Sequence, residues 1–180
     1  MDKKIAILRG INVGGKRKIL MVDLKSLFED LGYKEISTYI QSGNVIFKSA
    51  EKADELKIAN SIEKAIEEKF GFEVPVIVRT AENLQKTLSN NPFSKGDQED
   101  IAPLHITFLA QEPAEENLIK IKVLDFSPDK FKIEGKDVFI YCEGKYHQSK
   151  LTNNFFESKL KVKATTRNLK TVRKLCELSQ

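Results

Sequence analysis

The chain has no tryptophan, and only two cysteines and two histidines among its 180 residues. Cys142 and Cys176 are too few for the disulfide framework of a small secreted scaffold. Both sit among apolar neighbours, where a thiol serves as a small buried hydrophobe. His105 and His147 together with these thiols do not make a metal cluster at ligand spacing, so no metal is expected, and no motif specifies a cofactor. No G-x-S-x-G elbow is present. No apolar run approaches the length of a membrane span, and no membrane partner is expected. The opening MDKKIAILRG has too short an apolar stretch, and no small-residue cleavage site, for a secretory signal. These absences together lead to the expectation of a cytoplasmic protein.

Hydrophobic residues make up 41% and charged residues 31%, the balance of a globular chain long enough for one medium domain or two small ones. The net charge of +4 is unevenly spread. Between Lys145 and Leu175 nine Lys or Arg face one acid, Glu157, a net of +8 that leaves −4 for the remainder. A basic C-terminal region beside a mildly acidic body points to an anionic partner, or else to a solvated lysine-rich face.

Periodicity predicts strands over 3–11, 35–41, 44–49 and 73–80, and helices over 21–32 and 53–71. Their order is β-α-β-β-α-β, the split βαβ plan. A short helix over 81–92 leads into a polar, turn-rich link, 93–103, in which Asp97, Glu99 and Asp100 read as solvated. The second half repeats the order. It has strands at 104–111, 129–135, 136–144 and 162–166, and helices at 114–124, 152–160 and 167–179. The expected class is α+β, with two ferredoxin-like (βαββαβ) subdomains over 1–92 and 93–180. Residue-level identity between the halves is not evident. Several strands are apolar on both faces, so each sheet needs a second cover, expected from the other half of the chain.

Four stretches carry candidate chemistry. In RGINVGGKRK (9–18), Gly10, Gly15 and Lys16 have the spacing of a phosphate-binding loop, and glycines with positive φ can aim N–H groups at an anion. A magnesium-dependent nucleotidase is disfavoured. Arg17 stands where the metal-binding hydroxyl belongs, the helical pattern starts only near Met21, and no strand ends in a suitable Asp. An anion site and a purely structural turn both stay open.

In TYIQSGNVIF (38–47), Ser42-Gly43 reads as a hairpin turn flanked by Gln41 and Asn44. Because the first strand and the strand from Asn44 run antiparallel, this turn and the opening loop can share an edge. In SKLTN (149–153) and ATTRN (164–168), Thr152 and Thr166 are candidate helix N-caps. Arg167 at a helix start opposes the helix dipole unless an anion or carboxylate lies there, with Lys150 in support.

Together these four blocks, in this order, resemble the DUF1697 family from about Lys4 to Leu175. The family's usual Trp after Arg-Asn is Leu169 here, and its usual Pro before the first helix is Leu20. The resemblance implies an α+β protein of two ferredoxin-like subdomains, and no established activity.

The functional expectation is a pocket for an anionic or phosphorylated small ligand at the subdomain junction. Arg9, Lys16, Lys150 and Arg167 would bind the charge. Asn12, Ser42, Asn44, Thr152, Asn153, Thr166 and Asn168 would orient the ligand, with Gly14 and Gly15 shaping the loop. No base is evident, so no reaction follows. A nucleic-acid-binding module and a non-enzymatic interaction protein are the alternatives. The first suits the basic C-terminal region, although NVIFKS lacks the aromatic RNA-binding pattern. In the second, the same motifs serve only packing.

Overall fold

The computed structural model describes residues 2–50, 54–96 and 100–180. Asp97 and Glu99 of the expected link lie outside them, as does Ala53 at the expected start of the second helix. The chain is α+β, with two four-stranded antiparallel sheets. By internal contacts it divides into two compact units, Met1–Gln85 with Lys174–Gln180, and Lys86–Arg173. Both cuts fall inside continuous helices, and the last residues count with the first unit. The sequence shows no composition break there, which is why the turn-rich 93–103 stretch drew the expected boundary.

The first unit contains β1 (Asp2–Leu8), α1 (Met21–Asp30), β2 (Lys34–Tyr39), β3 (Asn44–Ser49), α2 (Glu55–Phe70) and β4 (Val76–Thr80), and the chain continues directly into α3 (Ala81–Ser89). The strands lie in the order β2-β3-β1-β4. β1 stops at Leu8, short of the expected Ile11, because Gly10 and Asn12 take positive φ of 73° and 57° and turn the chain. α2 is delimited by local chemistry. The Asp54 carboxylate accepts from the Leu56 N–H at its start, and Gly71 at φ 79° closes it.

Ile58, Ala59, Ile62 and Ile66 of α2 and Leu24, Leu27 and Phe28 of α1 are buried against Ala6, Leu8, Val45, Phe47, Val76 and Val78 of the sheet. Phe28, Tyr33 and Phe47 form a three-ring cluster with centroids 4.6–5.8 Å apart. Such pairs add about 0.5–1.5 kcal/mol each beyond area burial. Ile5, Ile7, Ile46 and Ile77 alternate with the core residues and are buried too, so both faces of these strands are withdrawn from water.

The second unit repeats the order with β5 (Leu104–Leu109), α4 (Glu115–Lys122), β6 (Lys130–Glu134), β7 (Asp137–Tyr141), α5 (Asn153–Leu160) and β8 (Ala164–Asn168), which runs directly into α6 (Leu169–Leu178). Its strands are ordered β6-β7-β5-β8. Leu109, Val138, Ile140, Phe156 and Leu160 centre its core, and Phe126, Phe131 and Phe155 pack around Phe156.

A residue-level correspondence between the halves appears in the registers. Ile5 of β1 pairs with Arg79, and Ile106 of β5 pairs with Arg167. Each arginine donates from Nη1 to the carbonyl of the preceding residue, Val78 at 3.1 Å and Thr166 at 3.0 Å. Each is followed by a residue that caps the next helix. Thr80 Oγ1 accepts from the Asn83 N–H, and Asn168 Oδ1 accepts from the Thr171 N–H.

Candidate functional site

In the first unit the structure draws the candidates together at one sheet end. Residues 12–17 form a miniature hairpin. Lys16 N donates to Val13 O at 3.0 Å, Asn12 N donates to Arg17 O at 3.2 Å, and Val13 and Lys16 form an isolated bridge. Gly14 and Gly15 sit at its tip with φ of 58° and 73°, the sign a two-residue primed hairpin turn requires. The glycines therefore make a turn, and the N–H groups of Asn12 and Lys16 are used within it.

Asn12 anchors this hairpin. Its Nδ2 donates to the carbonyls of Ile19 and Gln41, both at 2.9 Å, and its Oδ1 accepts from the Ile19 N–H at 2.9 Å. The opening loop and the Ser42-Gly43 turn thus share an edge. The adjoining ladder agrees: Leu8 N donates to Gly43 O at 2.8 Å, and Ile7 pairs with Asn44. Asn44 is fully buried and donates to Tyr39 O at 2.9 Å and to Ser42 Oγ at 3.3 Å. Asn12 and Asn44 orient backbone here, and the charge falls to the side chains around them. Lys16, Arg17 and Lys18 are exposed, and Arg9 at the base is half-buried. A Cβ at Gly10 would lie 3.2 Å from Arg17 Nη1, so glycine leaves room for that guanidinium to fold back over the loop base. α1 begins at Met21, preceded by Leu20 without a side-chain cap.

In the second unit the candidates divide between helix caps, an exposed lysine and a buried hydroxyl chain that joins Thr166 to Asn153. Thr152 caps α5, its Oγ1 accepting from the Phe155 N–H at 3.1 Å. Thr166 does not cap α6; it lies within β8, and its hydroxyl bridges Asn153 Oδ1 at 2.7 Å and Thr107 Oγ1 at 2.6 Å. The helix start belongs to Asn168. Arg167 is accordingly a strand residue, and the conflict with a helix dipole does not arise. β8 runs two residues past the expected end at Thr166, because Arg167 and Asn168 pair with Ile106 and His105 of β5. Burial pushes the Arg167 guanidinium down to about 10. Lys150 is exposed in the loop before α5.

Sequence reasoning passed over Arg79, which is 2% exposed. Its signal is the strand-Arg-cap-helix pattern that VRTAEN shares with TRNLKT. It also passed over Thr107, fully buried at the centre of the hydroxyl chain, and over the exposed aliphatics beside the hairpin, Val13, Leu20, Val22 and Ile40. Leu20 keeps φ −70°, an angle proline also adopts. Leu169 is buried.

Among the described residues no group of three or more His, Cys, Asp or Glu could hold a metal ion. No helix there is long and apolar enough to cross a membrane.

Comparison with known proteins gives a consistent placement. No curated protein matches the chain. A solved structure of the conserved bacterial protein SP0830 from Streptococcus pneumoniae matches 99% of this chain and 99% of its own, with a TM-score of 0.76 and 23% identity, and so shares the fold. A family model described as a protein of unknown function, DUF1697, matches residues 1–139. The chain therefore belongs to the DUF1697 family.

Proposed function

We propose that the protein recognises an anionic group, of the phosphate class, at the basic hairpin of its first unit. The carrying observation is the Asn12 anchor. Three hydrogen bonds of 2.9 Å hold a short loop on which Lys16, Arg17 and Lys18 stand exposed, with Arg9 at its base. Cations carried on a preorganised turn require less backbone ordering on binding than cations on a mobile tail. Arginine adds the planar fork that matches phosphate oxygens. The ligand contacts are assigned to side-chain cations, since the N–H groups of Asn12 and Lys16 close the hairpin. This reading assigns Lys16 and Arg9 the roles expected of them and adds Arg17 and Lys18. It leaves Asn12, Gly14, Gly15 and Asn44 as the frame.

Each unit is read as ferredoxin-like, because β-α-β-β-α-β with the strand order 2-3-1-4 is that plan. A cytoplasmic location is supported by two buried free thiols.

A dye-based thermal-shift panel tests the site, using inorganic anions, sugar phosphates, nucleotides and short oligonucleotides at two salt levels. Bound ligand raises Tm by mass action. A rise with a phosphorylated small molecule in the native protein, lost in a combined Lys16→Gln, Arg17→Gln, Lys18→Gln variant, supports the reading. An equal rise in both proteins, or none with any anion, overturns it. Nucleic acid is the second reading, favoured by Lys145, Lys150, Lys159, Lys161, Lys163 and Lys170, all exposed in the second unit. It predicts a shift with oligonucleotides alone that weakens steeply with salt.

A further inference from the structure

Four of the exposed aliphatics of the first unit lie on the chain segments that meet at the anchored hairpin. Asn12, Ile19 and Gln41 are joined by hydrogen bonds of 2.9 Å. Their chain neighbours Val13, Leu20 and Ile40 are 65%, 66% and 47% exposed, and Val22 in the first turn of α1 is 69% exposed. Single exposed aliphatics are ordinary on a protein surface, but several beside one anchor, interleaved with Lys16, Arg17 and Lys18, form a mixed apolar and basic rim. The chain is exposed residue by residue from Val13 to Lys18, so the feature is a protruding tip and not a cleft.

We propose that this rim seats the first unit on an anionic lipid surface. Val13, Leu20, Val22 and Ile40 would enter the headgroup–acyl boundary, and Lys16, Arg17 and Lys18 would lie at the level of the lipid phosphates and carboxylates. The inference rests on the anion-recognition reading of the same hairpin and names the bearer of the anion. Three features choose a lipid over other polyanions. Among the described residues the exposed large apolar side chains are all aliphatic, and no Phe or Tyr is exposed, so the rim offers no aromatic platform for nucleobases to stack on. A protein interface is anchored by Trp, Tyr and Arg seated in well-packed pockets, and this rim offers no Trp or Tyr. Aliphatic insertion flanked by Lys and Arg is the composition that binds anionic bilayers from one side. The anchor also matters, because a loop whose base is fixed by three hydrogen bonds can enter the interface without first being ordered.

The chain has no tryptophan, so one introduced indole reports without background. Val13→Trp is placed on the tip, and Ile119→Trp, at a 60% exposed site in the second unit, is the control. Each is titrated with phosphatidylcholine vesicles with or without phosphatidylserine at about one-third of the lipid. The expected result is a blue shift and quenching by brominated acyl chains for Val13→Trp, with phosphatidylserine vesicles only, and no change for Ile119→Trp. In flotation, a Val13→Ser, Leu20→Ser variant should lose roughly tenfold or more in vesicle binding, and its thermal response to inorganic phosphate should stay intact.

Vesicle binding unchanged by Val13→Ser, Leu20→Ser overturns insertion. So does tighter binding to an oligonucleotide than to vesicles. Absent vesicle binding with an intact phosphate response overturns the lipid inference and spares the anion site, whereas loss of both responses in the native protein overturns both.

Discussion

The side-chain amide of Asn12 donates to the main-chain carbonyl of Gln41 at 2.9 Å and so fastens the opening hairpin to the β2–β3 turn. The same amide exchanges two further bonds with Ile19, and the residue holds φ at 57°. Asn12→Ala removes all three bonds and places a Cβ-bearing residue without local hydrogen bonding in the left-handed region. The expected loss is about 2–4 kcal/mol. Asn12→Gly should recover roughly 1 kcal/mol of it by relieving the backbone alone. Urea midpoints at constant slope measure both, and a loss below about 0.5 kcal/mol for Asn12→Ala would contradict the anchoring role.

Gly43 and Gly14 both have positive φ, 86° and 58°, but different surroundings. A Cβ at Gly43 would lie 2.7 Å from Ile11 Cδ1 and 2.9 Å from Leu8 Cβ, whereas one at Gly14 meets nothing within 4 Å. Gly43→Ala should therefore cost upwards of about 3 kcal/mol, from backbone strain plus overpacking. Gly14→Ala should cost only about 1 kcal/mol. Equal thermal destabilisation by the two would contradict the packing of the turn against Ile11 and Leu8.

His105 stacks on Tyr146, with ring centroids 4.5 Å apart. Burial pushes its imidazole below the ordinary value of 6.5, against a smaller opposing pull from the Pro103 carbonyl. The folded state thus binds this proton less readily than the unfolded chain. Its contribution is complete above pH 6.5 and is lost as pH falls from 6.5 through the lower folded value. His105→Gln should flatten the decline in stability on acidification in that window. NMR titration of the His105 ring should give a midpoint below 6.5; a midpoint above it would contradict the buried, neutral assignment.

Cys142 and Cys176 are 1% and 6% exposed, and burial pushes both thiols up. Aspartate 129 adds to this at Cys142, against a hydrogen bond from Ser149. Native protein near neutral pH should react with an aromatic disulfide reagent at least about 100-fold more slowly than protein in denaturant. Rapid native labelling of either thiol would show that its surroundings open.

The element order was legible because the periods are clean. Leu24, Leu27 and Phe28 form a helical stripe, and NVIFKS spans β3 end to end. Ends were less legible where backbone conformation decides them. β1 ends at Leu8 because of positive φ at Gly10 and Asn12, and ATTRN is strand although it directly precedes a helix. Of the candidate site, the shared edge of the loop and the Ser42-Gly43 turn followed from strand direction. The role of Asn12 did not, since side-chain bonds to the distant carbonyls of Ile19 and Gln41 leave no trace in local pattern. The correspondence of Arg79 with Arg167 rests on register against Ile5 and Ile106, which no linear spacing displays.

Recognition of an anionic group by the anchored basic hairpin can be read residue by residue by NMR. Backbone amide shifts of the isotope-labelled native protein are followed during titration with inorganic pyrophosphate, with sodium chloride matched for ionic strength as the control. Saturable shifts are expected, concentrated at Arg9–Lys18 and the Gln41–Asn44 turn. These should be absent with chloride and abolished in the Lys16→Gln, Arg17→Gln, Lys18→Gln variant. Shifts spread evenly over exposed lysines, or confined to the second unit, would contradict it.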